Sequence, residues 1–448
     1  PLIGYSLEIV QADVIARYER LKGREVVFNA GTDEHGMKIY EKSKELGKTP
    51  QEYCDEMAEH FKALKGMLGV SFTHFIRTTD EHHVAAAREF WKRCEVNGDI
   101  YKKEYQVKYC IGCEMEKTDS DLEHGKCPDH PNMELQCIEE ENYFFRFSKY
   151  KQVLLDLYDG QTDFVVPANR LSEIRNFVAK GLQDFSISRL KEKMPWGIPV
   201  PDDEAHVMYV WFDALVNYIS TLGWPEDEGS FKKFWPGTQI AGKDNLRQQS
   251  AMWQAMLLSA GLPTSRQILI HGHILSGGQK MSKSLGNVIA PEELVEKFGV
   301  DGTRYLLLSD GNLENDIDLT MERIMEKYNA DLANGLGNLV SRIIKLSENL
   351  ETLPKYETTA AIADLFLGDY KFADSLGHVR QKVQDANKFI DERKPWILVK
   401  EDKETFAGVM SELFGRLSYI ACHLRPFLPE TAQKIQTALT EGKIEPLF

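Results

Sequence analysis

No stretch of about 18 consecutive apolar residues occurs in the 448-residue chain, so no membrane span is predicted. No secretory leader is visible in the opening residues, and neither an internal repeat nor a low-complexity tract is present. Positive charge is in deficit. The formal net charge is −15, which argues against bulk binding to a polyanion and leaves local basic patches such as Arg189, Lys191 and Lys193 for such a partner. Cysteine is sparse as well. Four of the seven, Cys54, Cys94, Cys137 and Cys422, are scattered, which fits reduced thiols in the cytosol better than a disulfide framework. What the chain does have is length, enough for about two to four domains.

The other three cysteines share a pattern with a histidine. Cys110-x2-Cys113-x13-Cys127-x2-His130 sets out two knuckles of soft or borderline ligands, as tetrahedral zinc requires. Gly112 and Gly125 permit tight turns, and Lys108, Lys117 and Lys126 lie close enough in sequence to offset thiolate charge. Cys110, Cys113, Cys127 and His130 are therefore the expected ligands of one zinc ion per chain, with Cys137 as the alternative to His130. Four protein ligands leave no open position for a substrate, so the metal is expected to be structural.

Chemistry concentrates in three further places. The chain opens with Ile3-Gly4-Tyr5, followed by Leu7, Val10, Val14, Tyr18 and Leu21 at helical spacing and Gly23 as a stop. A helix starting at Ile3-Gly4 offers free N–H groups and the positive end of its dipole, which favour phosphate. Val26-Val27-Phe28 reads as a strand leading into Asn29-Ala30-Gly31-Thr32-Asp33-Glu34-His35-Gly36, a polar cluster at the carboxyl edge of a sheet. Far downstream, the buried-strand pattern Ile268-Leu269-Ile270 precedes Ser276-Gly277-Gly278-Gln279 and then Lys280-Met281-Ser282-Lys283-Ser284. Two lysines three apart, with serines alongside, suit a mobile loop closing over a triphosphate, where fixed cations stabilise a departing pyrophosphate.

Lys280-Met281-Ser282-Lys283-Ser284 resembles the second signature of the class I aminoacyl-tRNA synthetases, and Ile3-Gly4-Tyr5 stands where their His-Ile-Gly-His signature opens its helix. Leu2 replaces the first histidine, or a histidine between Leu2 and Ile3 is absent, and Tyr5 replaces the second. With no strand ahead of this helix, a trimmed N-terminus is expected. Gly31-Thr32-Asp33-Glu34-His35-Gly36, the knuckle and the following Glu140-Glu141-Asn142-Tyr143-Phe144-Phe145 narrow the resemblance to the methionyl-tRNA synthetases, along the whole chain.

The resemblance implies ligation of L-methionine to methionine-accepting tRNA, initiator and elongator, through a methionyl-adenylate, with ATP and Mg2+. It makes Lys280 and Lys283 catalytic, and assigns ATP to Ile3, Gly4, Tyr5, Glu8, Gly242, Asp244, Lys280, Met281, Ser282, Lys283 and Ser284. Asp33 becomes the anchor of the substrate ammonium. Trp211, Ala214, Leu215 and Tyr218 become the side-chain pocket, an aromatic lining that suits a polarizable thioether. Asn245, Gln248 and Gln249 complete the methionine set but depart from the family, which carries Ile, Phe and His there. A buried amide against a thioether costs about 1–3 kcal/mol unless it finds a partner.

The expected fold class is α/β: a Rossmann-like parallel sheet split by a zinc-bearing connective insertion, then an all-α helical-bundle anticodon-binding domain. The expected boundaries are 1–95 for the first catalytic half, 96–205 for the insertion, 206–290 for the second half, 291–325 for a stem-contact linker and 326–448 for the bundle. An insertion of about 110 residues leaves no room for the editing domain of the leucyl, isoleucyl and valyl families. Leu332, Leu336, Leu339, Ile343 and Leu346 recur at helical spacing, as do Phe372, Leu376, Val379, Val383 and Ile390, and Met410, Leu413, Leu417, Ile420 and Leu424. By the resemblance, Asn338 and Arg342 read the anticodon from one helical face, and Trp396 stacks on a base. The protein is expected in the cytoplasm. Two alternatives stand beside this reading: a catalytically impaired tRNA-binding paralogue, motivated by Leu2 and Gln248-Gln249, and a small-molecule nucleotidyltransferase of the same superfamily.

Overall fold

The computed structural model describes residues 3–117, 121–281, 288–359, 361 and 366–448. They fall into two compact units, one of residues 1–28, 63–72 and 271–448, the other of residues 29–62 and 73–270.

The second unit is α/β. Asn29–Thr32 pairs in parallel with His74–Arg77, Asn29 opposite His74. Strand pairing thus begins at Asn29 rather than at the more apolar Val26-Val27-Phe28; in the first unit, the Phe28 ring packs edge-on to Phe72 at 6.4 Å. A three-stranded sheet has the order Thr238–Gly242, Gln267–His271, Val165–Val166, and its central strand runs parallel to Val165–Val166. All five residues of that central strand are buried, as a parallel strand covered on both faces requires. A long antiparallel hairpin, Ile100–Cys110 with Gln136–Phe145, carries the knuckle at its end. In the helix Glu81–Val96, His83, Ala86, Ala87, Phe90, Trp91 and Cys94 recur at three- and four-residue intervals and bury one face. Phe90 stacks on Trp253 with centroids 5.4 Å apart and Trp91 meets the edge of Phe212 at 5.1 Å, an aromatic core behind the segments that carry Trp211 and Tyr218.

The first unit is mostly helical. Ile3–Leu21 forms the expected helix and buries Leu7, Val10, Val14 and Tyr18, while Leu21 at its end is exposed. Asp13, on its buried face, pairs with the fully buried Arg304 of the helix Pro291–Leu308 at 2.7 Å. Ile274–Ser276 and Gln279–Lys280 close a two-residue hairpin around Gly277 and Gly278, both at positive φ (61° and 76°). Lys280 therefore begins on a hairpin strand rather than in a loop, and Ser282, Lys283 and Ser284 lie outside the described residues. Beyond residue 326 the regular elements among the described residues are all helical. The first apolar series spans a π-helical stretch, Tyr328–Gly337, running into the α-helix Asn338–Ser347. The other two series lie on Phe372–Arg393 and Lys403–Leu424. Every residue of the three series is buried except Leu346, which is half-buried.

Candidate active site

The loop after Asn29–Thr32 is organised by Glu34. Its buried carboxylate accepts Nε and Nη2 of Arg77 at 2.7 and 3.0 Å and the hydroxyls of Thr32 and Thr79 at 2.6 and 2.5 Å. Its N–H donates to Thr78 Oγ1 at 2.9 Å, and Trp196 Nε1 donates to its carbonyl at 2.6 Å. Backbone and side chain of the loop are both held, which fixes the Asp33 carboxyl near Asp213 and Glu114. Protein crowding around Asp33, and then the carboxylates of Asp213 and Glu114, raise its pKa well above the ordinary carboxylate value. His35 is turned inward instead, with Nδ1 3.0 Å from Asp213 Oδ2. His83 Nε2 lies 3.8 Å from Asp213 Oδ1, and its Nδ1 is bonded to Ser220 Oγ at 2.9 Å. Burial alone would raise Asp213, but His35 and His83 outweigh it and hold that carboxyl below its ordinary value. Two neighbouring carboxyls thus differ in character: the histidines beside Asp213 favour its charged form, whereas the carboxylates beside Asp33 disfavour its charged form.

The expected side-chain pocket lies on short helices. Asp203–Met208 is the strand, and the helix Val210–Ala214 starts ahead of Asp213. Ala214 and Leu215 are buried, Trp211 and Tyr218 half-buried, and Tyr218 packs 6.2 Å from Trp253. After the strand Thr238–Gly242, a short 3-10 turn carries an exposed Asp244 and a half-buried Asn245, and a π-helical turn, Gln248–Met252, carries both glutamines into the interior. Gln249 donates to Tyr218 OH at 2.9 Å and accepts from Gln239 Nε2 at 2.7 Å. Gln239 accepts the Ser265 hydroxyl, and Gln254 Nε2 closes the ring on Gln249 O at 2.8 Å and Ser265 Oγ at 3.0 Å. Gln248 Nε2 donates instead to the thioether of Met115 at 3.0 Å.

Cys110, Cys113, Cys127 and His130 converge, their ligand atoms all within 4.8 Å of one another. Cys113 Sγ lies 3.5 Å from Cys127 Sγ and 3.2 Å from His130 Nδ1, and Cys110 Sγ lies 3.7 Å from the same nitrogen. Those separations are close to the edges of a tetrahedron with metal–ligand bonds of about 2.0–2.3 Å, so the donor set can hold a zinc-sized ion. Cys137 stands apart, exposed, on the wall of a neighbouring cavity of about 340 Å³. Gly112 is required where it is: a Cβ there would sit 2.5 Å from the His130 ring. Gly36 is required too, with φ at 110° and its missing Cβ position 2.7 Å from Glu114 Oε1. Through that contact and the hydrogen bond of Tyr209 OH to the Glu114 carbonyl, the knuckle tip packs on the Asp33 loop and on the Trp211 segment.

In the first unit, Gly4 and Tyr5 lie in the opening turn of the helix Ile3–Leu21, with Ile3 buried. Glu8 Oε2 lies 3.1 Å from His271 Nε2, so this expected nucleotide contact already has a protein partner. Arg342 donates to Asn387 Oδ1 at 3.1 Å and Asp391 Oδ1 at 2.9 Å on the helix Phe372–Arg393, while Asn338 is exposed and Trp396 is 45% exposed. Sequence reasoning missed His83, Asp213, Glu114 and Met115, and gave Glu34 and His35 no separate roles within the acidic loop. The available signal was a carboxylate inside the apolar run Val210-Trp211-Phe212-Asp213-Ala214, a placement that demands buried partners.

A family model described as tRNA synthetases class I (M) matches residues 1–137 and 130–344. A methionine–tRNA ligase of Caldanaerobacter subterraneus subsp. tengcongensis is 39% identical over 461 residues, covering 98% of this chain and 72% of that protein. One from a Nostoc species is 40% identical over 466 residues, covering 99% of this chain and 88% of the relative. Among solved structures, Mycobacterium tuberculosis methionyl-tRNA synthetase in complex with methionyl-adenylate superimposes with a TM-score of 0.91 at 34% identity, covering 97% of this chain and 90% of that one.

Proposed function

Because the chain belongs to the class I tRNA synthetases of the methionine type, we infer that it ligates L-methionine to tRNA through a methionyl-adenylate, converting ATP to AMP and pyrophosphate. The observation that carries this reading is the near full-length likeness to a synthetase solved with that adenylate. Asp33, set beside the carboxylates of Asp213 and Glu114, supports it locally, since a substrate ammonium would offset their mutual repulsion.

The chemistry is an in-line displacement at phosphorus followed by an acyl transfer. The methionine carboxylate, ionised at neutral pH, needs no general base to attack the α-phosphorus of ATP. Asp33 holds the ammonium. Trp211, Ala214, Leu215 and Tyr218, with Asn245, Gln248 and Gln249, surround the side chain. Ile3, Gly4, Tyr5, Glu8, Gly242, Asp244 and the Lys280–Ser284 stretch bind ATP, and Lys280 and Lys283 stabilise the leaving pyrophosphate. Mg2+ accompanying ATP supplies further charge neutralisation. The terminal 2′-hydroxyl of tRNA then attacks the carbonyl carbon of the adenylate, forming the ester and expelling AMP, and positioning and fixed charge do most of the catalysis.

Zinc on Cys110, Cys113, Cys127 and His130 is structural, because the shell is closed. The arrangement we favour is a Rossmann-like sheet split by the knuckle-bearing insertion at 96–205, a linker at 291–325 and an anticodon-binding bundle from 326. In that bundle Asn338, Arg342 and Trp396 read initiator and elongator tRNA alike. Among the described residues no helix is long and apolar enough to cross a membrane, and we assign the enzyme to the cytoplasm. Methionine-dependent exchange of pyrophosphate into ATP is the test. Its absence at saturating substrates would favour the catalytically impaired paralogue.

A further inference from the structure

Gln248 stands where the family carries an aromatic, and its surroundings are unusual for a primary amide. It is 2% exposed. Its Oε1 is buried with no partner among the described residues, and its Nε2 donates to the sulfur of Met115 at 3.0 Å. Met115 is not a neighbour in the chain. It opens the strand Met115–Lys117, paired across from Cys110, so the knuckle determines where its side chain goes. The residue before it, Glu114, has a left-handed φ of 51°, touches the Gly36 position and is one of the carboxylates acting on Asp33. The knuckle tip therefore delivers a CH2–CH2–S–CH3 group to the expected methionine residues, and an amide of that set already grips it.

We propose that Met115 is an internal stand-in for the substrate side chain, and that Gln248 is a specificity-determining residue that exchanges the Met115 thioether for that of the incoming methionine. The proposal rests on the methionine-activating reading above. Its physical basis is symmetry of exchange. Thioether sulfur is a weak acceptor, but a buried amide N–H without any acceptor is costly. Methionine can displace Met115 and leave the N–H paired as before. An isosteric substrate with a methylene in place of sulfur displaces Met115 and leaves the N–H unpaired. Discrimination against such a substrate follows from the loss of a bond already made, the kind of difference that apolar shape alone supplies poorly. The π-helical turn at Gln248–Met252 assigns the two glutamines separate tasks: Gln249 is locked to Tyr218 and Gln239, and only Gln248 faces the knuckle.

The test compares the unmodified chain with Met115→Leu and Gln248→Leu in pyrophosphate exchange with methionine and norleucine, zinc content and far-UV circular dichroism being measured on each. Met115→Leu nearly conserves volume and removes the sulfur. We expect its KM for methionine to fall about three- to tenfold, with kcat within twofold and zinc retained. In Gln248→Leu the methionine-over-norleucine ratio of kcat/KM should fall at least fivefold, with the KM for ATP unchanged. An unchanged or raised methionine KM in a folded, zinc-replete Met115→Leu overturns the proposal. If that variant does not fold, an unmoved ratio in Gln248→Leu overturns it on its own. No methionine-dependent exchange in the unmodified chain would instead sink the functional reading, and this inference with it.

Discussion

Arg304→Ala should destabilise the first unit more than any substitution at its surface. The guanidinium is fully buried, 2.7 Å from Asp13 Oδ2, and donates to the carbonyls of Phe427, Leu68 and Pro426 at 2.6, 3.0 and 3.2 Å. Truncation removes an ion pair and three charge-assisted hydrogen bonds. Asp13 would not be stranded, because it keeps Arg17 Nε at 2.7 Å and the N–H and hydroxyl of Ser71, both at 2.6 Å. That residual pairing argues for the lower part of the about 3–5 kcal/mol typical of breaking a buried pair. The loss of three buried carbonyl bonds, each about 1–3 kcal/mol when left unmade, argues for the upper part. We expect about 4 kcal/mol.

Native-state hydrogen exchange is the suitable assay, since a chain with two compact units is not expected to unfold in one step. A loss of about 4 kcal/mol speeds exchange of the slowest amides in Ile3–Leu21 roughly a thousandfold. A change worth less than about 1 kcal/mol would refute the reasoning, and would mean that water replaces the guanidinium without cost. Acid sensitivity should move as well. Burial alone would raise Asp13, but Arg304, Arg17 and Ser71 outweigh it and hold the carboxyl below its ordinary value. A lowered carboxylate contributes its full stability above the unfolded value and loses it as pH falls through the folded one. Removing Arg304 should shift that loss to higher pH.

Three further outcomes are expected. Lys283→Ala should slow pyrophosphate exchange by about a hundredfold or more while leaving the methionine dissociation constant within about twofold, because its charge is needed chiefly in the transition state; equal losses in both would reassign it to binding. The raised Asp33 carboxyl should make methionine affinity climb about tenfold per pH unit as pH rises toward its substrate-free value and level off above it. Titration calorimetry should show that slope vanish in Asp33→Asn, and a slope that survives would exclude Asp33 as the ammonium anchor. Cys113→Ser should abolish stoichiometric zinc in elemental analysis and unfold the knuckle, whereas a retained ion would point to a different ligand set.

Periodicity made the helices legible because burial of one face is a local property: the apolar residues of Phe372–Arg393 and Lys403–Leu424 are spaced for it and are buried. The knuckle was legible for a related reason, since thiols at fixed short spacing have few other uses, and the four ligands do converge. The strand after residue 24 was misplaced because hydrophobicity marks burial rather than pairing; Phe28 is buried by Phe72 and takes no part in the ladder. In the acidic loop, nothing local distinguishes Asp33 from Glu34. The distinction comes from Arg77, 43 residues away from Glu34, which neutralises one carboxylate, and from Asp213 and Glu114, which repel the other.

Gln248 and Gln249 show how far local sequence can mislead about a pocket. Beside Gly242-Lys243-Asp244 they look like damage to an apolar wall, because a thioether site gains nothing from an unpaired amide. In the fold, Gln249 belongs to a ring with Gln239, Gln254, Ser265 and Tyr218, and four of those five residues are themselves polar groups buried in the interior or on its margin. A ring of this kind is stable only when complete, since removing one member strands its neighbours in a medium of low polarity. Gln249 is thus one member of a polar network that runs from residue 218 to residue 265, and placing His at 249 alone should break the ring rather than repair the site. Gln248 has no such ring. Its only described polar contact is a sulfur on the knuckle, and an amide placed so deep with one lone acceptor unused is better explained by a ligand than by the fold.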